Sequence, residues 1–136
     1  MTVLRRFAEQ MRIFKNKPFT RFARKAGLGD PTLCEAIANA ERGLIDADLG
    51  GGVIKQRIAR PGKGKSGGFR AMILYKRATR AVFVYGFAKN ERANITQDEL
   101  ATLKELAFQI LAYDDRALAQ AVAFGTLIEV ICHEKN

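Results

Sequence analysis

Side chains that catalyse most enzyme reactions are scarce in this chain of 136 residues. Its one histidine, His133, lies close to the end of the sequence, where side chains are seldom ordered enough to act as catalysts. No group of residues has the spacing of metal ligands, and no pair of carboxylates lies in a context that would separate their two pKa values. These absences argue against metal-dependent chemistry and against hydrolysis by paired carboxylates, so we expect neither a metal nor a cofactor.

Cysteines and long apolar runs are scarce as well. Cys34 and Cys132 are too few and too far apart to suggest a disulfide framework or a zinc site, so we interpret both as reduced thiols. No stretch approaches the length of a membrane span, and the beginning of the chain lacks the apolar core of a signal peptide. We therefore expect a cytoplasmic protein, with residues 1–10 as a candidate disordered leader and residues 11–136 as a single domain.

Positive charge is abundant, and it is concentrated in one segment. The chain has 23 Lys and Arg residues against 14 Asp and Glu residues, a formal net charge of +9. Residues 53–92 alone hold 11 basic side chains and one acidic side chain, a net charge of +10. Such confinement favours a face that binds a polyanion over a generally solvated surface.

The first half of the chain predicts a short strand and two helices. The strand covers residues 12–15, and the first helix follows it and ends at Gly27. Asp30 as N-cap and Pro31 in the first turn begin the second helix. A short turn containing glycine joins the two helices, so we expect them to form an antiparallel hairpin.

The second half predicts three strands and two more helices. Alternating and apolar segments at residues 53–58, 69–75 and 81–87 are typical of strands in a meander. A capping box and a second N-cap then begin two helices, and a last apolar run predicts an edge strand or a segment that pairs with a partner. The fold class is α+β, with an N-terminal helical hairpin packed on a small twisted antiparallel sheet and a C-terminal helical extension.

Basic side chains of the predicted meander form the candidate active site. Lys55 and Arg57 share one face of the first of these strands, and Arg70 enters the second. Neighbouring antiparallel strands would bring all three onto one surface. Further polar members lie in the loop before Arg70 and around the end of the last strand, namely Arg60, Lys63, Lys65, Ser66, Tyr85, Lys89 and Arg92. The glycines of that loop would let backbone N–H groups approach a phosphate.

Such a cationic surface suits the cleavage of RNA, which carries its own nucleophile in the 2′-hydroxyl group. A protein needs only to remove that proton, to neutralise the charge that develops on the phosphate, and to protonate the leaving oxygen. Fixed cations stabilise the developing charge, and a lysine among cationic neighbours could accept the proton. The same cations could also do no more than hold a nucleic-acid backbone.

The sequence resembles the toxins of the RelE/ParE superfamily from bacterial type II toxin–antitoxin modules, and within it the RelE and HigB-like members. The resemblance covers the chain from Met11 to about Leu111. It rests on the two-helix opening, on Ser-Gly-Gly-Phe-Arg at residues 66–70, and on Val-Tyr-Gly-Phe-Ala-Lys-Asn-Glu-Arg at residues 84–92. It implies a helical hairpin on a twisted sheet whose open face is the active site, as in a RelE-like fold.

The resemblance implies a role for most of the basic residues. Arg70 matches the strand arginine that stabilises the transition state, and Lys55 and Arg57 match paired basic positions among which a general base is sought. Lys89 belongs to the basic stretch after the last strand and is a fourth catalytic candidate. The residues that we assign to RNA binding are Arg60, Lys63, Lys65, Ser66, Tyr85 and Arg92.

Two positions depart from the family pattern. The best-known members carry a second arginine where this chain has Asn90, and a tyrosine where it has Thr96, which is already predicted to cap a helix. Tyr85 and Lys89 are candidates to replace them.

The resemblance predicts a metal-independent mRNA interferase, an endoribonuclease that cuts mRNA in the ribosomal A site, inhibits translation and arrests growth. The predicted partners are the ribosome, mRNA and a cognate antitoxin with a helix-turn-helix DNA-binding domain. The alternative is a ParE-like gyrase poison with the same fold and no nuclease activity. The dense cationic loop favours the nuclease, since a gyrase poison needs no phosphate cradle. A plain RNA-binding module is a third reading, which the lack of surface aromatics for base stacking disfavours.

Overall fold

The computed structural model describes residues 11–59 and 68–133, and these residues form a six-stranded sheet with four helices. The elements in chain order are β1 (Arg12–Asn16), α1 (Lys17–Ala26), α2 (Asp30–Glu41), β2 (Ala47–Asp48), β3 (Val53–Ile58), β4 (Phe69–Lys76), β5 (Arg80–Ala88), α3 (Gln97–Ile110), α4 (Asp115–Ala123) and β6 (Leu127–Val130). The α+β class predicted from the sequence is therefore confirmed. The candidate leader, residues 1–10, lies outside the described residues.

The sheet is mixed, with the strand order β2-β3-β4-β5-β1-β6. The predicted meander of β3, β4 and β5 is confirmed, since both pairs in it are antiparallel. However, β1 lies parallel to β5 and antiparallel to β6. The prediction of a wholly antiparallel sheet is therefore wrong. An arrangement with the helical hairpin as the first element is not confirmed, because the strand predicted at residues 12–15 forms as β1 before the helices and lies inside the sheet, where Phe14 is fully buried.

Each face of the sheet has its own apolar core. On one face α1 and α2 pack through Phe19 and Ile37 against sheet residues such as Ile73. On the opposite face α3 and α4 pack on Met72 and its neighbours, with Leu118 of α4 fully buried. Both cores draw on β4 and β5 because these strands are apolar on both faces, as central strands must be.

Three of the helices begin at local sequence signals. Thr96 accepts a hydrogen bond from the N–H of Glu99 at 3.1 Å, and the Glu99 carboxylate accepts one from the N–H of Thr96 at 2.7 Å, so the predicted capping box is confirmed. Asp114 caps α4 by accepting from the N–H of Ala117 at 2.8 Å. Asn16 caps α1, and Pro18 lies in its first turn.

Asp30 is not the N-cap of α2, contrary to the prediction. Gly29 is the N-cap and makes no side-chain cap, while Asp30 is the first residue of the helix. The Asp30 carboxylate instead accepts hydrogen bonds from Lys15 Nζ at 3.3 Å and from the N–H of Ile131 at 3.0 Å. Tertiary contacts with β1 and with the segment after β6 therefore replace the expected local cap.

The two cysteines form a disulfide in the structure, so the interpretation of Cys34 and Cys132 as two unpaired thiols is wrong for this form of the protein. The Cα atoms of Cys34 and Cys132 lie 5.8 Å apart although 98 positions separate them in the sequence. Pairing of β6 with β1 brings the end of β6 next to α2, and the bond joins these two segments. No helix among residues 11–59 and 68–133 has the length and apolar character needed to cross a bilayer.

Candidate active site

Three of the predicted site residues lie together on one face of the sheet. Lys55 and Arg57 alternate with Gln56 along β3, and Arg57 lies directly opposite Arg70 of β4 in the antiparallel register. This is the face opposite to α1 and α2. Arg70 comes two positions before Met72 along β4 and so shares its face, on which α3 and α4 pack. The structure therefore brings onto one face three of the basic residues that were expected to share a surface.

A carboxylate that the sequence reasoning missed lies within this group. The Oδ2 atom of Asp46 is 3.2 Å from Nε of Arg70 and 4.0 Å from Nζ of Lys55. The Arg70 side chain is 9% exposed and that of Asp46 is 28% exposed, so the contact is largely withdrawn from water. The second donor of Arg70, Nη1, lies 3.4 Å from the carbonyl oxygen of Phe69. Arg70 is thus a buried arginine whose charge is balanced by one acidic neighbour.

Asp46 is itself held by a buried glutamine on the opposite face. The N–H of Asp46 donates to Oε1 of Gln56 at 3.0 Å. Nε2 of Gln56 donates to the carbonyl oxygens of Ala36 and Leu44, both at 2.9 Å. Gln56 is 3% exposed, so these bonds fix the connector that carries Asp46 to α2 and to β3. The alternation predicted for residues 53–58 includes Gln56, but no local pattern of the sequence assigns it this role.

Arg92 lies just after β5 and contacts residues of β5 and of the start of α3. Its guanidinium donates to the Tyr85 hydroxyl at 3.0 Å, pairs with Glu99 at 2.8 Å, and lies 5.8 Å from the centre of the Phe87 ring. A further bond runs from Nε to the carbonyl oxygen of Asn94 at 2.8 Å. Because Arg92 donates to Glu99, the pKa of Glu99 is lowered to about 2 and that of Arg92 is raised. Arg92 therefore joins β5 to the start of α3, and its predicted role in RNA binding stays a prediction.

The other predicted residues are distributed around this face. Tyr85 lies opposite Met72, and Phe87 lies opposite Arg70. Lys89 is exposed, and its N–H donates to the carbonyl oxygen of Gly68 at 3.1 Å, which places it beside the start of β4. The loop residues Arg60, Lys63, Lys65 and Ser66 lie outside the described residues.

The basic segment does not supply one continuous surface. Lys76, Arg77 and Arg80 lie at the far end of the β4–β5 hairpin, six positions or more from Arg70, which is about 20 Å along a strand. Arg80 is 8% exposed and donates to the carbonyl oxygens of Ile110 and Tyr113 at 2.9 and 3.1 Å. Burial is the largest of the effects that lower the pKa of Arg80. This arginine caps the C-terminal end of α3 and is not part of the candidate site.

A groove opens beside the cation cluster. It has a volume of about 470 Å³, lies between α2 and β3, and is lined among others by Asn39, Asp46, Gln56 and Arg57. Within the described part of the chain, no group of three or more His, Cys, Asp or Glu side chains could hold a metal ion. The arrangement offers a buried, oriented arginine, an amine, an exposed guanidinium and one carboxylate, which can bind a phosphate and stabilise added negative charge on it.

A protein-family model matches most of the chain. The chain matches the family model described as RelE toxin of RelE / RelB toxin-antitoxin system over residues 11–130. That span includes all the strands and helices described above. No match was found among curated proteins. Because the matched span covers well over half of the sequence, the chain belongs to the RelE family of toxins of toxin–antitoxin systems.

Proposed function

We propose that this toxin is a ribosome-dependent mRNA endoribonuclease that cuts by attack of the RNA 2′-hydroxyl group on the scissile phosphate. The observation that carries the proposal is the cluster of Lys55, Arg57 and Arg70 on one sheet face, with Arg70 buried and oriented. RelE family toxins are generally translation-dependent endoribonucleases, which supports the same activity here.

Arg70 is the proposed electrostatic catalyst. A guanidinium presents several N–H donors in a fixed plane and remains protonated in proteins, so it can bind two phosphate oxygens at once. Charge that is already oriented needs no rearrangement when the phosphate gains negative charge in the transition state. Burial against the sheet and the ion pair with Asp46 support such a prepared position for Arg70.

The general base is proposed among the lysines. Arginine side chains stay protonated, which makes Arg57 a better phosphate ligand than proton acceptor. Lys55 lies within the cluster, and Lys89 lies exposed beside the start of β4. In its neutral form either amine can accept the proton of the 2′-hydroxyl group as the bond between the 2′-oxygen and phosphorus forms, and the resulting ammonium group can give that proton to the 5′-oxygen as the bond between phosphorus and the 5′-oxygen breaks.

The proposed partners follow from the same function. Membership of the RelE family implies a cognate antitoxin, and we propose that it carries a helix-turn-helix DNA-binding domain. The proposed substrate is mRNA on the ribosome, so the proposed place of action is the cytoplasm. The cationic loop, with Arg60, Lys63, Lys65 and Ser66, is the proposed contact with the RNA backbone, and no metal is proposed for the reaction.

The proposal is tested by inducible expression of the wild type, of Arg70→Ala and of Arg77→Ala, followed by primer-extension mapping of cellular mRNA. Arg77 lies in the turn at the far end of β4 and serves as the matched control. Cleavage by Arg70→Ala should fall by about 100- to 1000-fold, as expected when one charge-stabilising donor is lost. Arg77→Ala should cut at the wild-type positions and rate.

Each variant should first be shown to retain its fold by circular dichroism and to bind the antitoxin, since Arg70 is buried. New cuts in translated messages, present with the wild type and lost with Arg70→Ala, would support the proposal. Growth arrest with intact mRNA would refute it and would favour the gyrase-poison alternative, which the family match itself does not support.

A further inference from the structure

We infer that Asp46 is a positioning residue that orients Arg70 for RNA cleavage, with Gln56 fixing Asp46 in turn. The inference rests on the proposed nuclease function and adds a residue that no motif of the sequence suggested. It is carried by one chain of contacts, from Gln56 Oε1 to the N–H of Asp46, and from the Asp46 carboxylate to Nε of Arg70 and Nζ of Lys55.

The first step concerns the freedom of the Arg70 side chain. A long side chain with several rotatable bonds loses phosphate-binding geometry unless something holds it. The ion pair with Asp46 lies at the Nε side of the guanidinium. Nη1 makes only a long bond of 3.4 Å to the carbonyl oxygen of Phe69, and in residues 11–59 and 68–133 no bond from Nη2 is found. The outer edge is therefore the part that remains for a phosphate.

The second step concerns Lys55 on the neighbouring strand. The same Asp46 oxygen that pairs with Arg70 lies 4.0 Å from Lys55 Nζ. One carboxylate thus lies between two cations that would otherwise repel each other, and its negative charge offsets that repulsion. Loss of this charge should let both side chains move apart, while their own positive charges remain.

The third step concerns how Asp46, which lies on the connector before β2, is itself held in place. Asp46 precedes β2, which has only two residues, so the local strand pairing holds it weakly. Gln56 compensates, because its amide group bonds to Asp46, Leu44 and Ala36 at once and is almost fully buried. A glutamine with all these groups paired resists rotation, since any other orientation would leave a buried polar atom unpaired.

Removal of the Asp46 charge should affect cleavage in opposite ways under two hypotheses, the positioning role inferred here and a surface that only binds phosphates. A carboxylate on a face that binds a polyanion weakens binding, so a simple binding surface would work better without it. A positioning carboxylate should instead be needed for the chemical step. Asp46→Asn keeps the size of the side chain and removes the charge. Asp48→Asn is the matched control, because Asp48 lies two residues further on and its carboxylate accepts a hydrogen bond from the N–H of Gly50 at 3.0 Å.

The experiment measures two quantities on ribosomes that carry mRNA, with the purified full chain. Single-turnover cleavage gives the rate of the chemical step. Binding is measured with the same mRNA carrying a 2′-deoxy group at the scissile position, which removes the nucleophile and prevents cleavage. Asp46→Asn should cleave on the order of 10- to 100-fold more slowly, while binding stays equal or tightens by roughly two- to fivefold at low salt. Asp48→Asn should match the wild type in both.

A double-mutant comparison distinguishes positioning from a general structural role. If Asp46 acts through Arg70, then Asp46→Asn should slow cleavage in the wild-type background and have little further effect in an Arg70→Lys background. Unchanged or faster cleavage by Asp46→Asn, or equal slowing in both backgrounds, would overturn the inference alone. A wild-type chain that cuts no translated mRNA would overturn the proposed function, and this inference would fall with it.

Discussion

Removal of the disulfide between Cys34 and Cys132 should destabilise the oxidised protein substantially. The bond joins α2 to the segment after β6, at the edge of the sheet. Cys34→Ser or Cys132→Ser removes it and leaves the neighbouring contacts in place. These are the pairing of β6 with β1 and the bond from the N–H of Ile131 to Asp30 at 3.0 Å. We therefore expect the loss to come mainly from the greater freedom of the unfolded chain.

The magnitude follows from the length of the loop that the bond closes. Cys34 and Cys132 are 98 positions apart, and the chain-entropy model gives about 4.7 kcal/mol for a loop of about 100 residues. Measured losses are usually smaller than that upper figure, so we expect the free energy of unfolding to fall by about 2–5 kcal/mol. For a domain of this size the melting temperature should fall by roughly 6–20 °C.

The assay is thermal and urea unfolding of the wild type, the two single serine variants and the double variant, each with and without dithiothreitol. All three variants should have the same stability, because each lacks the same bond. Reductant should lower the melting temperature of the wild type to that of the variants and leave that of the double variant unchanged. A wild type whose melting temperature is unaffected by reductant and equals that of the variants would refute the reasoning.

Two further predictions concern charged residues of the fold. Arg80→Met should lower the free energy of unfolding in urea by about 2 kcal/mol, because it leaves the carbonyl oxygens of Ile110 and Tyr113 without their donor. Lys76→Met at the exposed end of β4 should change it by less than about 0.5 kcal/mol, and equal losses would contradict the capping role of Arg80. The pKa of Glu99 is lowered from 4.5 to about 2 by Arg92, so its contribution is present above pH 4.5 and is lost as the pH falls towards 2. Glu99→Gln should therefore weaken the fall in melting temperature as the pH is lowered. Asp98→Asn is the control, and an equal effect of that change would count against the Arg92–Glu99 pair.

The parts of the molecule that could be predicted are those specified by neighbouring residues. The capping box of Thr96 and Glu99 lies within four residues, and its geometry depends on little else. The common face of Lys55 and Arg57 follows from the two-residue period of a strand, and the opposition of Arg57 to Arg70 follows from a hairpin meander. The candidate cation cluster was accessible from the sequence for this reason.

The parts that could not be predicted depend on contacts between distant residues. Nothing in the short apolar pattern of β1 says that it lies between β5 and β6 or that it runs parallel to β5. The contact of Asp46 with Arg70 and the pairing of Cys34 with Cys132 require that arrangement of the whole chain. Charge counting also treated Arg80 as part of the cationic surface, although its carbonyl partners on α3 make it a buried cap.

The disulfide and the proposed action on ribosomes make opposite demands on the redox environment. Ribosomes work in a compartment where thiols are kept reduced and structural disulfides are rare. Cys34 and Cys132 are close enough to pair once an oxidant is present, with Cα atoms 5.8 Å apart. If the proposed function is correct, acid quenching of growing cells followed by alkylation should find both thiols free, whereas the protein purified in air should carry the bond. Quantitative oxidation inside cells would contradict the cytoplasmic expectation. Free thiols would make the reduced protein the working form, so the stability measured with reductant is the value that applies to its activity.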